Sequence, residues 1–162
     1  MNAIIRRAFA VLPLAAAALA AAPAFADPLQ PGPDGLVRVK SAYGMDETIA
    51  RIRADIASKG IMFFSAVDQQ KLAADAGIAL RPSTLLTFGN PPLGAQFLTA
   101  NPAAGLDWPV RLLVSQDESG NVWTTWTDFG WIANRHRITN REEQFAKATS
   151  VVESITSTVR AQ

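Results

Sequence analysis

The chain contains no cysteine and a single histidine, His136. Without thiols there is no disulfide, no cysteine nucleophile, no zinc–cysteine site and no covalently attached c-type haem. With one histidine, a transition-metal site would depend on carboxylates, and the Asp and Glu residues form no cluster at ligand spacing. These absences predict a protein without a metal or cofactor, stabilised by its hydrophobic core.

Excess charge and catalytic motifs are also lacking. The chain has 15 basic and 14 acidic residues, whereas a nucleic-acid surface needs clustered Lys and Arg. No G-x-S-x-G elbow, G-x-G-x-x-G fingerprint or P-loop is present. We therefore assign no catalytic residue and expect no nucleic-acid partner. The leading interpretation is a non-catalytic module that binds a small ligand or a protein.

A long apolar run is present only at the N terminus. Arg6 and Arg7 precede small apolar residues over 8–22, and the A-x-A sequence Ala24-Phe25-Ala26 stands before Asp27. This pattern predicts a signal peptide over residues 1–26 rather than a membrane anchor. We expect a periplasmic or secreted mature chain with a net charge of −1 and no membrane attachment. The paired arginines leave both the general and the twin-arginine export routes open.

The remaining residues divide into an extended Pro/Gly-rich leader, 27–35, and a single domain, 36–162. Hydrophobic periodicity predicts five strands and five helices in the domain. The clearest turn is the hairpin at residues 117–121, and Thr139 with Glu142 forms a capping box for the last helix. The predicted strands are Leu36–Ala42, Ile61–Val67, Thr84–Phe88, Val110–Gln116 and Val122–Thr127, and the helices are Glu47–Lys59, 69–76, Leu93–Ala100, Asp128–Arg137 and Asn140–Val159.

The hairpin and the polar alternation favour an α+β fold over a parallel α/β sheet. We predict one curved, mainly antiparallel sheet, with helices packed on one face and a long C-terminal helix. The other face would carry charges and an aromatic ring, which suits a ligand groove, a dimer contact or an ordinary hydrated surface. The residues predicted on it are Arg38, Lys40, Thr87, Arg111 and Trp123.

A resemblance to a known family supports this fold. The string R-P-x-x-L-L-x-F-G-N-P at Arg81–Pro91, together with Asp68, Ala73, Gly77, Gly94, Trp108-Pro109 and the Gly120 hairpin, resembles the family called domain of unknown function 302. The resemblance covers roughly residues 36–136. It implies a TATA-binding-protein-like fold and dimers in some members, but no agreed activity. Many members have histidine where this chain has Gln69, so a role that needs that imidazole is in doubt.

The candidate site is the corner between the third strand and the third helix. Gly89 permits unusual backbone conformations, Asn90 before a proline favours extended backbone, and the following helix would direct free N–H groups at a ligand. Gly94 would allow close approach, and the fork of Arg81 would add a positive charge. The sequence thus predicts a small-anion pocket, with a tight structural turn as the competing interpretation.

Two other functions remain open. An accessory enzyme would use Arg81 and Asn90 with His136, the one side chain that titrates near neutral pH unaided, although flanking arginines favour a surface role for it. A structural or assembly role would act through the sheet face. For that role we expect a homodimer that associates through the sheet face or its edge, near Trp123.

Overall fold

A five-stranded antiparallel sheet organises residues 29–161, the part of the chain that the computed structural model describes. The predicted signal peptide lies outside these residues. The strand order is β1-β5-β4-β3-β2, so the first two strands form the two edges and the last three run between them. The strands are β1 (Leu36–Lys40), β2 (Met62–Asp68), β3 (Ser83–Gly89), β4 (Val110–Gln116) and β5 (Val122–Thr127).

Within residues 29–161, five α-helices and one 3-10 helix accompany the sheet, which confirms the predicted α+β class with a C-terminal helix. Apolar residues of every helix except the second, Gln69–Asp75, join those of the inner sheet face in one buried core. The helices are α1 (Met45–Ser58), α2 (Gln69–Asp75), α3 (Pro91–Ala100), a 3-10 helix (Pro102–Leu106), α4 (Phe129–Arg135) and α5 (Glu142–Ser157).

Strand alternation separates a buried face from a partly exposed one. On β5, Trp126 is 3% exposed, whereas Trp123 is half-exposed on the opposite face. The register places Trp123 opposite Lys40 and pairs Thr87 with Arg111, so the polar outer face contains the residues predicted for it. The inner face supplies the core, as a period of two requires.

The starts of α1, α3, α4 and α5 differ from the sequence prediction by one or two residues, and at α1 and α5 the predicted cap is also wrong. Helix α1 begins at Met45 after Gly44, without a side-chain cap, so Asp46 lies inside its first turn. Helix α5 begins at Glu142 after Arg141, so the predicted capping box does not form. In both cases acidic residues in the first turn suit the helix dipole without capping it.

The hairpin at residues 117–121 forms as predicted, and one carboxylate organises it. Asp117 accepts the indole N–H of Trp123 at 2.8 Å, the amide of Asn121, and the backbone N–H groups of Ser119 and Asn121. These donors, the indole first, hold the pKa of Asp117 down to about 2. They favour the charged form, and they explain why Trp123 lies over the hairpin.

Candidate functional site

The strand–Gly-Asn-Pro-Pro–helix corner is a capped turn whose donors are occupied. Asn90 is extended (φ −106°, ψ 108°), and its side chain accepts the backbone N–H of Leu93 at 3.0 Å. The N–H of Gly94 donates to the carbonyl of Asn90 at 2.9 Å. The two prolines between them carry no N–H. The N–H groups of Leu93 and Gly94, which the sequence predicted would face a ligand, are therefore occupied by Asn90.

The two glycines of the corner make room for one tryptophan. A Cβ on Gly89 would lie 2.7 Å from Trp108, and a Cβ on Gly94 would lie 2.0 Å from Cε2 of the same ring. Gly89 does not have a positive φ, so its predicted backbone role is wrong. Both positions are glycine because the indole packs against their backbones.

An apolar cleft of about 410 Å³ opens beside this contact, between β3, the N terminus of α3 and the side of α5. We call it the corner cleft. Its base is the buried ring of Phe88, and half-exposed apolar side chains surround it. Those side chains are Ile61, Leu93, Trp108 and Val151.

Two lysines supply the charge at the corner cleft. Lys59, just after α1, forms an ion pair with Asp55. Lys147 is exposed on α5 and has no ion-pair or hydrogen-bond partner among residues 29–161. The cleft therefore combines an apolar base with one unpaired positive charge at its rim.

Arg81 lies at the other end of β3 from this cleft. It pairs weakly with Glu118 of the hairpin, at 3.6 Å with both side chains largely exposed. It borders an open hollow of about 830 Å³ beneath α2, where Ile78 and Leu80 are also exposed. The predicted grouping of Arg81 with Asn90 is thus not found, because the seven residues of β3 separate them.

Gln69, the position where many family members have histidine, is also at this far end. Its side-chain oxygen accepts a hydrogen bond from the hydroxyl of Ser83 at 2.7 Å. The contact connects the start of α2 to the start of β3. In this chain the side chain at position 69 is therefore not ionisable, and it makes a structural hydrogen bond to Ser83.

His136 belongs to a third location, a charged cluster around Asp107. The Asp107 side chain is only 2% exposed and accepts the Nε2–H of His136 at 2.6 Å. Arg111 contacts the same carboxylate at 2.7 Å and Arg135 at 3.3 Å. The flanking arginines favoured a surface role for His136 in the sequence. In the structure the imidazole is buried and hydrogen-bonded to the buried Asp107 carboxylate. We call these four side chains the Asp107 cluster.

Sequence reasoning missed the lysines of the corner cleft and the Asp107 cluster. His136 and Asp107 are 29 residues apart, and Lys147 lies far from the corner in sequence. The local sequence feature that could have indicated the corner cleft was Trp108-Pro109, because a large aromatic side chain in a loop is expected to bury its ring against a neighbouring element. Among residues 29–161, no three His, Asp or Glu side chains are placed to hold a metal ion together.

The architecture defines the class: an α+β domain with an open antiparallel sheet. The chain belongs to the family described as domain of unknown function DUF302, whose model matches residues 37–156. A crystal structure of an uncharacterized conserved DUF302 protein from Bacillus stearothermophilus has this fold, with a TM-score of 0.71 and 20% identity, covering 78% of this chain and 98% of that one.

Curated relatives come from Brucella. The chain is 41% identical over 104 residues to the fluoride-specific ion channel FluC 1 of Brucella suis, covering 64% of this chain and 41% of that protein. The FluC 2 protein of Brucella melitensis matches equally over 38% of its length. The chain thus spans about two fifths of these relatives. Within residues 29–161, none of the helices has the length and apolar character needed to cross a bilayer.

Proposed function

We propose that this protein is an exported, non-catalytic binding module whose corner cleft takes a small amphipathic anion. The ligand would have an apolar body and one carboxylate or similar group. The carrying observation is the cleft itself, an apolar base with an unpaired lysine at its rim. Export, to the periplasm or beyond, rests on the signal-peptide pattern, and N-terminal sequencing of the mature chain should begin at Asp27.

The size and lining of the cleft suit this ligand class. Its volume of about 410 Å³ lies within the range of small-molecule pockets, roughly 300–1,000 Å³. A ligand would remove its half-exposed apolar side chains from water. This burial contributes about 25 cal/mol of favourable free energy for each Å² of apolar surface. The free energy of binding would therefore come mainly from the apolar body, and the charged group would fix its orientation.

The lysines favour an anion over a neutral ligand. Lys147 is free to pair with a ligand carboxylate, whereas Lys59 is already paired with Asp55. The accessory-enzyme alternative has no common site, because Arg81, Asn90 and His136 lie at three separate places. The channel activity named for the Brucella relatives is not part of this proposal, since the similarity covers only part of those proteins.

Octanoate is expected to bind in the corner cleft more tightly than 1-octanol, which has the same chain length without the charge. The amide signals of Gly89 and Gly94 and the indole signal of Trp108 should shift saturably in NMR titrations. Lys147→Ala should weaken octanoate binding about fivefold, equivalent to an ion pair of about 1 kcal/mol, and should leave octanol binding unchanged.

The matched control is Lys40→Ala, which removes another exposed and unpaired lysine from the opposite sheet face. It should leave octanoate binding at the wild-type level. The proposal is wrong if neither octanoate nor 1-naphthoate shifts these signals saturably. It is equally wrong if Lys40→Ala weakens binding as much as Lys147→Ala does.

A second proposal concerns assembly: two copies pair through the edge strand β2. Nearly the whole strand is exposed, including Met62, Phe64 and Val67, and it has no charge before Asp68. One irregularity at Phe64 interrupts its register. Natural edge strands are usually protected by charges or proline, and the opposite edge, β1, carries Arg38 and Lys40.

Residues 62–67 of β2 carry no charge, so this part of the strand can pair antiparallel with its own copy without placing like charges opposite each other, as a two-fold dimer requires. We expect a dimer by sedimentation at tens of micromolar and a monomer for Phe64→Lys. Leu106→Lys, at an apolar position 68% exposed on the 3-10 helix, is the control and should remain dimeric. Wild-type protein that sediments only as a monomer would contradict the proposal.

A further inference from the structure

The Asp107 cluster joins one buried anion to two half-exposed cations. Asp107 is 2% exposed, whereas the Arg111 and Arg135 side chains are 49% and 55% exposed. Arg111 Nη2 and Arg135 Nη1 both contact Asp107 Oδ1, at 2.7 and 3.3 Å. Arg135 Nη1 also lies 3.3 Å from Asp107 Oδ2. The two guanidinium groups therefore converge on the same buried carboxylate, and about half of each arginine side chain is exposed.

Asp107 accepts only some of the N–H donors of the two arginines and neutralises only one of their two positive charges. A guanidinium group has five N–H donors and stays protonated. Each of these arginines contacts Asp107 through a single nitrogen, and neither has another hydrogen-bond or ion-pair partner among residues 29–161. Two fixed positive charges therefore face one negative charge, whatever the protonation state of His136.

The buried carboxylate also orders both arginines before any ligand arrives. Side-chain ordering normally costs about 0.5–1.5 kcal/mol per long side chain on binding. Here the contacts with Asp107 order both arginines in the free protein, so part of this entropy is lost before a ligand binds. His136 in turn fixes Asp107 through its 2.6 Å hydrogen bond. A small hollow beside Asp107 and Arg111 is bordered by Thr127 and the apolar side chains of Trp126, Phe129 and Ile132.

The geometry points to an oxyanion site at the exposed side of Arg111 and Arg135, separate from the corner cleft. Its ligand is a phosphate or sulfate group, free or on a small molecule, bridging two guanidinium groups through charge-assisted hydrogen bonds. Asp107 and His136 position the arginines and do not contact the ligand. The segment from Asp107 to Arg111 serves both sites, because Trp108 faces the corner cleft.

The test is an NMR titration of the arginine Nε–H signals with sodium phosphate, glycerol phosphate and sodium sulfate at constant ionic strength, with chloride and fluoride in parallel. Saturable shifts at Arg111 and Arg135 are expected for the oxyanions and not for the two halides. A response to glycerol phosphate alone would identify a phosphomonoester, and a response to phosphate or sulfate but not to glycerol phosphate would identify the free ion. A tighter response to fluoride would overturn the oxyanion assignment.

Arg135→Gln should weaken phosphate binding about tenfold or more. Arg135→Lys, which keeps the charge but loses the fork, should weaken it less. Arg81→Gln is the matched control, since it removes an exposed arginine at the far end of β3 and should have no effect. Denaturant melts would verify that each variant is folded.

Three results would identify the cluster as a structural ion pair only: equal shifts with the oxyanions and with chloride, equal weakening by Arg81→Gln, or wild-type binding by Arg135→Gln. Saturating phosphate should also leave octanoate binding unchanged. Failure of this site is thus distinguishable from failure of the corner cleft.

Discussion

Replacing Phe145 by alanine is expected to lower the free energy of unfolding by about 3–5 kcal/mol, the usual cost of deleting a buried aromatic ring. Phe145 is 6% exposed on α5, and its ring stacks on Phe97 of α3 with the ring centroids 4.3 Å apart. The stacked pair connects two helices over the sheet. Its loss leaves a cavity that rigid neighbours fill only in part.

Urea melts that compare Phe145→Ala with wild type would measure this effect, and Glu143→Ala is the control. Glu143 lies in the first turn of the same helix and is exposed, so its loss should change the free energy of unfolding by about 0.5 kcal/mol or less. A loss below about 1 kcal/mol for Phe145→Ala would show that α5 packs only peripherally.

The fold was predictable because periodicity and turn chemistry are local. The apolar spacing on α5 brings Phe145, Val152 and Ile155 to one buried face, and alternation on β5 separates Trp123 from Trp126. The hairpin could be predicted because Asp117 and the residues next to it in sequence are sufficient to form the turn. The helix starts were less predictable, because Arg141 rather than Thr139 precedes α5, and several cap positions are energetically close.

The candidate site was predictable only as a turn. The extended backbone predicted for Asn90 is present, but α3 begins at Pro91, two residues before the predicted Leu93, with Asn90 as its cap. Nearness in sequence was a poor guide to the rest, because a strand carries neighbours apart: Arg81 and Asn90 flank β3 and cannot meet. The contacts that build the corner cleft and the Asp107 cluster join distant segments, and no local pattern contains them.

In a double-mutant cycle at the corner, the effect of Gly94→Ala on the free energy of unfolding is expected to depend on whether Trp108 is present, because the two residues pack directly against each other. Gly94→Ala is expected to lower the free energy of unfolding by about 2–3 kcal/mol, although alanine is about 1 kcal/mol better than glycine inside a helix. The new Cβ would lie 2.0 Å from Cε2 and 2.1 Å from Nε1 of Trp108, so the indole must move away and lose its edge contact with Phe97.

In a Trp108→Ala background the same Gly94→Ala change should be neutral or stabilising, by up to about 1 kcal/mol, because the atoms nearest to the new Cβ are gone and the helix preference remains. Urea melts of the four proteins give the coupling energy between the two positions. If Gly94→Ala costs as much without Trp108 as with it, the glycine is required by the backbone or another neighbour. Trp108 would then owe its position beside the corner cleft to other contacts.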